Sequence, residues 1–166
     1  MPDTDLRPSL SEPIRILGDG AATVAPEALA DLPVQEREIE IVCSTGDRYT
    51  ERWQGVAIMD VLETEAAAAA SIPAETTHLL VESADGHRAC VALEDALDGL
   101  LAFGRDGDAL GAVADYDSRF VAPGLTGPRT VKDVVRIEAT RLEPGEDPES
   151  YERLLEVESE DGDDAE

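Results

Sequence analysis

The stretch IEIVCSTGDRYTERWQG, residues 39–55, decides the fold. Ile39, Ile41 and Cys43 alternate with Glu38, Glu40 and Val42, a period of two that predicts a half-buried strand delivering a cysteine at its end. Thr45-Gly46-Asp47 then signals a turn. Beyond it stand the chain's only tryptophan, Trp53, and Gly55. Cys43 admits two readings. It is a small buried hydrophobe closing a strand, or it is a thiolate ligand, because Arg48 and Arg52 lie nearby and positive charge lowers a thiol pKa.

Outward from this stretch the punctuation is regular. Residues 14–17 read as a short strand, Gly18-Asp19-Gly20 as a turn and residues 23–25 as a returning strand. Pro26 opens a short helix over 26–32, with an acid early, as helix N-termini prefer. Residues 56–70 read as one long helix with Val56, Met59, Leu62 and Ala66 on a single face and an alanine run to favour it. Asp85-Gly86 is a hairpin signal between β-forming residues 76–83 and 87–93. A helical turn over 94–97, a segment at 100–103 and a turn at Arg105-Asp106-Gly107 follow. Residues 108–117 read as irregular. A strand over 119–121 precedes a loop bounded by Pro123-Gly124 and Gly127-Pro128, and a last strand runs to about Leu142. Short strands, hairpin turns and one long helix give an α+β fold, rich in antiparallel or mixed sheet.

Length and composition set the outer limits. A chain of 166 residues fits one domain. The division expected is a flexible arm over 1–12, a folded domain over 13–142 and an acidic, largely disordered tail over 143–166. No apolar run approaches the roughly 20 residues of a membrane span, and the first residues carry no secretory pattern, so a cytoplasmic protein is expected. Two cysteines make no disulfide framework, and neither CxxC nor HExxH is present to suggest zinc.

The formal net charge is −25, from 38 acidic and 13 basic residues. That balance argues against nucleic acid, whose phosphates need Lys and Arg to displace counterions. Lys132 is the only lysine. An acidic chain almost free of lysine suggests adaptation to a salt-rich, halophilic cytosol, where at molar salt the Debye length falls to about 3 Å and self-repulsion is screened. The protein is therefore expected to lose compactness in dilute buffer. Melting curves in dilute buffer and in molar KCl test this, and coincident curves would contradict it.

Four stretches in order carry a resemblance. They are the strand ending in Cys43 with its W-x-G-V continuation at 53–56, SADGHR at 83–88, SRFVAPG at 118–124, and TVKDVVRIE at 130–138. Together they resemble the molybdopterin-binding domain of the sulfite oxidase-like oxidoreductases, a group that includes the bacterial protein-methionine-sulfoxide reductase catalytic subunits. The resemblance spans residues 13–142. It implies a sulfite oxidase-like fold, molybdopterin as cofactor, oxygen-atom transfer at a molybdenum centre, and a small-molecule substrate or redox partner. It also selects Cys43 over Cys90 as the metal's protein ligand. Molybdopterin carries a phosphate and a dithiolene that holds molybdenum. The phosphate calls for cationic donors, for which arginine supplies a bidentate fork, and the metal accepts a soft thiolate. The candidate donors are Arg48, Arg52, Arg88, Arg119, Arg129 and Lys132.

Two other readings stand beside it. One is a non-catalytic, metal-free descendant of the same fold, acting as a binding or scaffold domain. Residues 111–119 keep the arginine of the family's H-G-x-P-L-R stretch but not its histidine. The other is an unrelated acidic interaction domain, favoured if the fold fails to gather Cys43, Arg119 and Lys132.

Overall fold

The computed structural model describes residues 13–42, 45–114 and 116–153. The arm expected at 1–12 and the last part of the expected tail, 154–166, lie outside the described residues, as does Cys43. In chain order the strands are β1 (Ile14–Leu17), β2 (Ala21–Val24), β3 (Gln35–Val42), β4 (Arg48–Ala57), β5 (His78–Ser83), β6 (Arg88–Ala92), β7 (Leu100–Arg105), β8 (Asp108–Ala109), β9 (Arg119–Val121) and β10 (Val134–Thr140). One sheet runs β2-β1-β10-β5-β6, with β1 parallel to β10 and its other pairs antiparallel. The second runs β3-β4-β7-β8, with β9 also paired to β7.

The alternation read at Ile39 and Ile41 sets the second sheet. Both side chains are buried while Glu38 and Glu40 are exposed. β3 pairs with β4 over its whole length, from Gln35 opposite Gly55 to Val42 opposite Arg48. Strict alternation gives this sheet two buried faces. Val56, Leu101, Phe103, Phe120 and Ala122 face the first sheet and build the main core with Ile14, Ile16, Leu79, Val81 and Ile137. Ile39, Ile41, Trp53, Leu100, Ala102 and Val121 face the other way, into a smaller cluster closed by Leu110 and Tyr116.

The helices are short. They are α1 (Pro26–Ala30), α2 (Ile58–Leu62), α3 (Leu93–Leu97) and α4 (Leu110–Val113). The long helix expected over 56–70 does not form. Val56 and Ala57 end β4, α2 lasts five residues, and Ala66–Ala70 is a separate 3₁₀ turn. Met59 and Ala66, expected on the buried face, are exposed, and Ile58, Val61, Ala67 and Ala70 are buried instead. Alanine's helix preference amounts to only tenths of a kcal/mol per residue, less than burying Val56 in a sheet paired on both sides. Thr64 marks the break: its hydroxyl donates to the Val61 carbonyl at 2.9 Å and accepts from the Ala67 N–H at 3.1 Å. The alanine run serves another purpose. Gly20 donates to the Ala70 carbonyl at 2.9 Å, so the β1–β2 turn lies directly on that backbone.

Residues 108–117, expected to be irregular, contain β8 and α4. Asp106 and Gly107, at φ of +53° and +90°, reverse the chain, and the fully buried Leu110 anchors α4 over the smaller cluster. The hairpin read at Asp85-Gly86 closes between β5 and β6, with Gly86 at φ +93°. Among the described residues, no helix is long and apolar enough to cross a membrane.

Candidate functional site

The segment 118–132 and the end of β3 are tied together. The Val42 N–H donates to the Leu125 carbonyl at 3.0 Å, and Val42 forms a parallel bridge with Thr126. The strand therefore ends, at Val42, directly beside this loop. Cys43 itself lies outside the described residues, so its sulfur receives no placement.

Arg119 and Lys132 are brought together. β9 aligns Arg119 opposite Ala102 on one side, and an antiparallel bridge aligns it with Lys132 on the other. Arg119 is buried, 9% exposed. Its Nε donates to the Thr130 carbonyl and hydroxyl at 3.2 and 3.0 Å, Nη2 to the same hydroxyl at 2.7 Å, and Nη1 to the Tyr116 hydroxyl at 3.1 Å. It also lies 5.8 Å from the Trp53 ring centre and 5.6 Å from that of Tyr116. Among the described residues no carboxylate pairs with it. Electron-rich ring faces and neutral oxygens hold the charge. Lys132 Nζ lies 5.2 Å from the Tyr116 ring centre. Trp53, fully buried between Arg105 and Arg119, has an indole N–H with no hydrogen-bond partner.

A second pair of cations gathers around Cys90. Arg129 sends Nη1 to the Thr126 hydroxyl at 3.0 Å, which ties it to the residue bridged with Val42. Its Nε and Nη2 fork the Glu152 carboxylate at 2.8 Å each. That hydrogen bonding raises the Arg129 pKa, partly opposed by desolvation. Glu152 Oε2 also accepts the Cys90 N–H at 2.9 Å. Burial, then the Glu152 charge, pushes the Cys90 thiol up to about 11, with Arg129 and Arg88 acting the other way. At neutral pH that thiol keeps its proton, unlike a thiolate ligand. Arg88 has a buried Nε with no hydrogen-bond partner, and its backbone exchanges two 2.8 Å bonds with Arg153.

The remaining candidates stand apart. Arg48 is opposite Val42 at the mouth of the strand and pairs with Glu40 at 3.3 Å, both exposed. Arg52 pairs with Glu36 at 3.3 Å. It is opposite Glu38, four positions from Val42, about 13 Å back along the strand. Of the six cations named from the sequence, Arg119 with Lys132 and Arg88 with Arg129 form two clusters joined by residues 126–130. Arg48 borders the strand end and Arg52 does not approach it. Tyr116, Thr126, Thr130 and Glu152 were not marked by sequence reasoning. Thr126 and Thr130 had one available signal, as hydroxyls in a loop already rich in cations. Glu152, one acid among many, had none.

The model of the oxidoreductase molybdopterin binding domain family matches residues 13–147, and the chain belongs to that family. Among solved structures, the sulfane dehydrogenase SoxCD from Paracoccus pantotrophus matches with a TM-score of 0.65 and 23% identity, over 79% of this chain and 38% of that one. The likeness establishes a sulfite oxidase-like molybdopterin-binding fold, and this chain spans little more than a third of that relative's length. No match is found among curated proteins.

Proposed function

We propose that this chain binds molybdopterin and supports oxygen-atom transfer, with Cys43 as the protein ligand to molybdenum. The observation that carries the reading is the attachment of the cation-bearing loop 118–132 to the strand end that leads into Cys43. The donor chemistry fits a phosphate-bearing pterin. Cations from distant segments converge, and the Arg88 Nε is a buried donor lacking an acceptor, which an anionic, acceptor-rich ligand would satisfy.

Within that reading the side chains take different parts. Arg88, Arg129 and Lys132 are the direct donors to the cofactor, and Arg48 lends positive charge at the strand end that precedes Cys43. Arg119 is a positioning residue: its hydrogen bonds go to Thr130 and Tyr116, and it fixes the loop that presents Arg129 and Lys132. Arg52 contributes only to the general field. The bound group supplies a metal centre able to exchange an oxygen atom. The arginines steer an oxyanion or sulfoxide substrate, in a cytoplasmic, salt-adapted protein whose electrons pass to or from a redox partner.

A metal-free scaffold of the same fold is the second reading. It is favoured by the Glu152 carboxylate seated in the Arg129 fork. Molybdenum analysis of protein made in a molybdopterin-competent host separates the two. The expected result is about one molybdenum per chain, lost in Cys43→Ser, where a hard hydroxyl replaces the soft ligand. Molybdenum in neither protein leaves the scaffold.

A further inference from the structure

The turn Pro148–Tyr151 and the two residues after it bring Glu152 and Arg153 onto β6. Two facts about this segment pull apart. The Glu152 side chain is 5% exposed and makes three close polar contacts, two to Arg129 and one to the Cys90 N–H. Yet the turn that carries it has no buried residue, and residues 143–147 are exposed. The segment is held by polar contacts, not by a core. They are the Arg129–Glu152 pair, a looser Arg129–Glu149 contact at 3.5 Å, and the Arg88–Arg153 backbone bridge. Elements with few buried apolar contacts open at low cost in free energy.

Glu152 is held as an oxyanion would be, by a guanidinium fork and a backbone N–H, and Arg88, whose buried Nε lacks an acceptor, is bridged through its backbone to the next residue, Arg153, and acts with Arg129 on the Cys90 thiol. A carboxylate and a phosphate fit an arginine fork in the same bidentate geometry. We propose that Glu152 is a built-in, displaceable occupant of an oxyanion site formed by Arg129, the Cys90 N–H and Arg88. Its external ligand is a tetrahedral oxyanion such as a phosphate monoester, which enters as residues 148–153 withdraw. The inference rests on the reading of Arg129 as a contact for the cofactor's phosphate, and it adds a competitor carried by the chain itself. Occupancy by Glu152 lowers the apparent affinity for any such anion by the fraction of molecules that are closed.

Inorganic phosphate is the probe, used with the full chain in molar KCl. Binding is followed by calorimetry and by hydrogen exchange at the Arg88, Cys90 and Arg153 amides. In the native chain, phosphate is expected to speed exchange at the Arg88 and Arg153 amides, whose bonds break when the segment leaves. Glu152→Gln keeps the shape and removes the charge, and it is expected to bind phosphate about tenfold tighter or more, because a charge-assisted competitor has been removed. Unchanged affinity in Glu152→Gln overturns the proposal. So does a segment still protected in the native chain at saturating phosphate, which would make Glu152 a fixed clamp. Molybdenum loading with the segment still protected defeats this inference alone. Tighter phosphate binding by Glu152→Gln in a chain that never loads molybdenum defeats the functional reading alone.

Discussion

Gly55→Ala is expected to destabilise the protein by more than about 4 kcal/mol, a large share of the stability of a typical domain. Gly55 lies where β4 bulges against β7, opposite Ala102. A Cβ there would meet the Leu101 carbonyl oxygen and sit 2.6 Å from the Ala102 Cα. Both are backbone atoms of the neighbouring strand, so no side chain can turn aside. Relief requires β4 and β7 to part, and they carry the faces of both hydrophobic clusters. Gly107→Ala is the control. Its φ of +90° makes a Cβ strained, but no atom lies within 4 Å of it, and the cost there should be about 1 kcal/mol. Urea unfolding of the two variants in high salt measures the difference. Similar midpoints would show that the β4–β7 contact yields more easily than its backbone packing allows.

Arg119→Ala is expected to cost about 3 kcal/mol or more, as the loss of a buried hydrogen-bonded network does. The change removes four donor contacts and leaves Tyr116 and Thr130 with unanswered oxygens. It also opens a void between the Trp53 and Tyr116 rings. Arg119→Lys restores charge without the planar fork, so it should recover less than half of the loss. Trp53 is the only tryptophan and stacks with this guanidinium, so its fluorescence reports the site directly. Emission should shift in Arg119→Ala before global unfolding begins. Unaltered emission together with an unaltered urea midpoint would mean that Arg119 does not organise the loop.

The parts of the fold that depend on local pattern were legible. Alternation at Ile39 and Ile41 named β3, and Asp85-Gly86 named the hairpin. Arg119–Val121 was read at its full extent because both flanks carry turn residues. The helix over 56–70 failed for the opposite reason. Its alanines vote weakly, and the outcome was set by a partner strand far along the chain, at Leu100 and Leu101, which no local window contains. The same contrast runs through the site. Arg119, Arg129 and Lys132 stood out because they share one short segment of an acidic chain. That Arg88 would join Arg129 depended on β6 reaching the loop, and that Glu152 would answer Arg129 depended on a turn stabilised by polar contacts alone. Arg52 looked equivalent to Arg48 in sequence, but four positions of antiparallel register carry it away from the strand end.

The central claim is that Arg88, Arg129 and Lys132, on or beside the loop attached to the strand end that leads into Cys43, hold an anionic pterin. The most direct measurement is the pterin released by denaturing protein purified from a molybdopterin-competent host, quantified by fluorescence after oxidation. The account predicts close to one pterin per folded chain. Folded protein that carries none, made in a host that loads other molybdopterin enzymes, would contradict it.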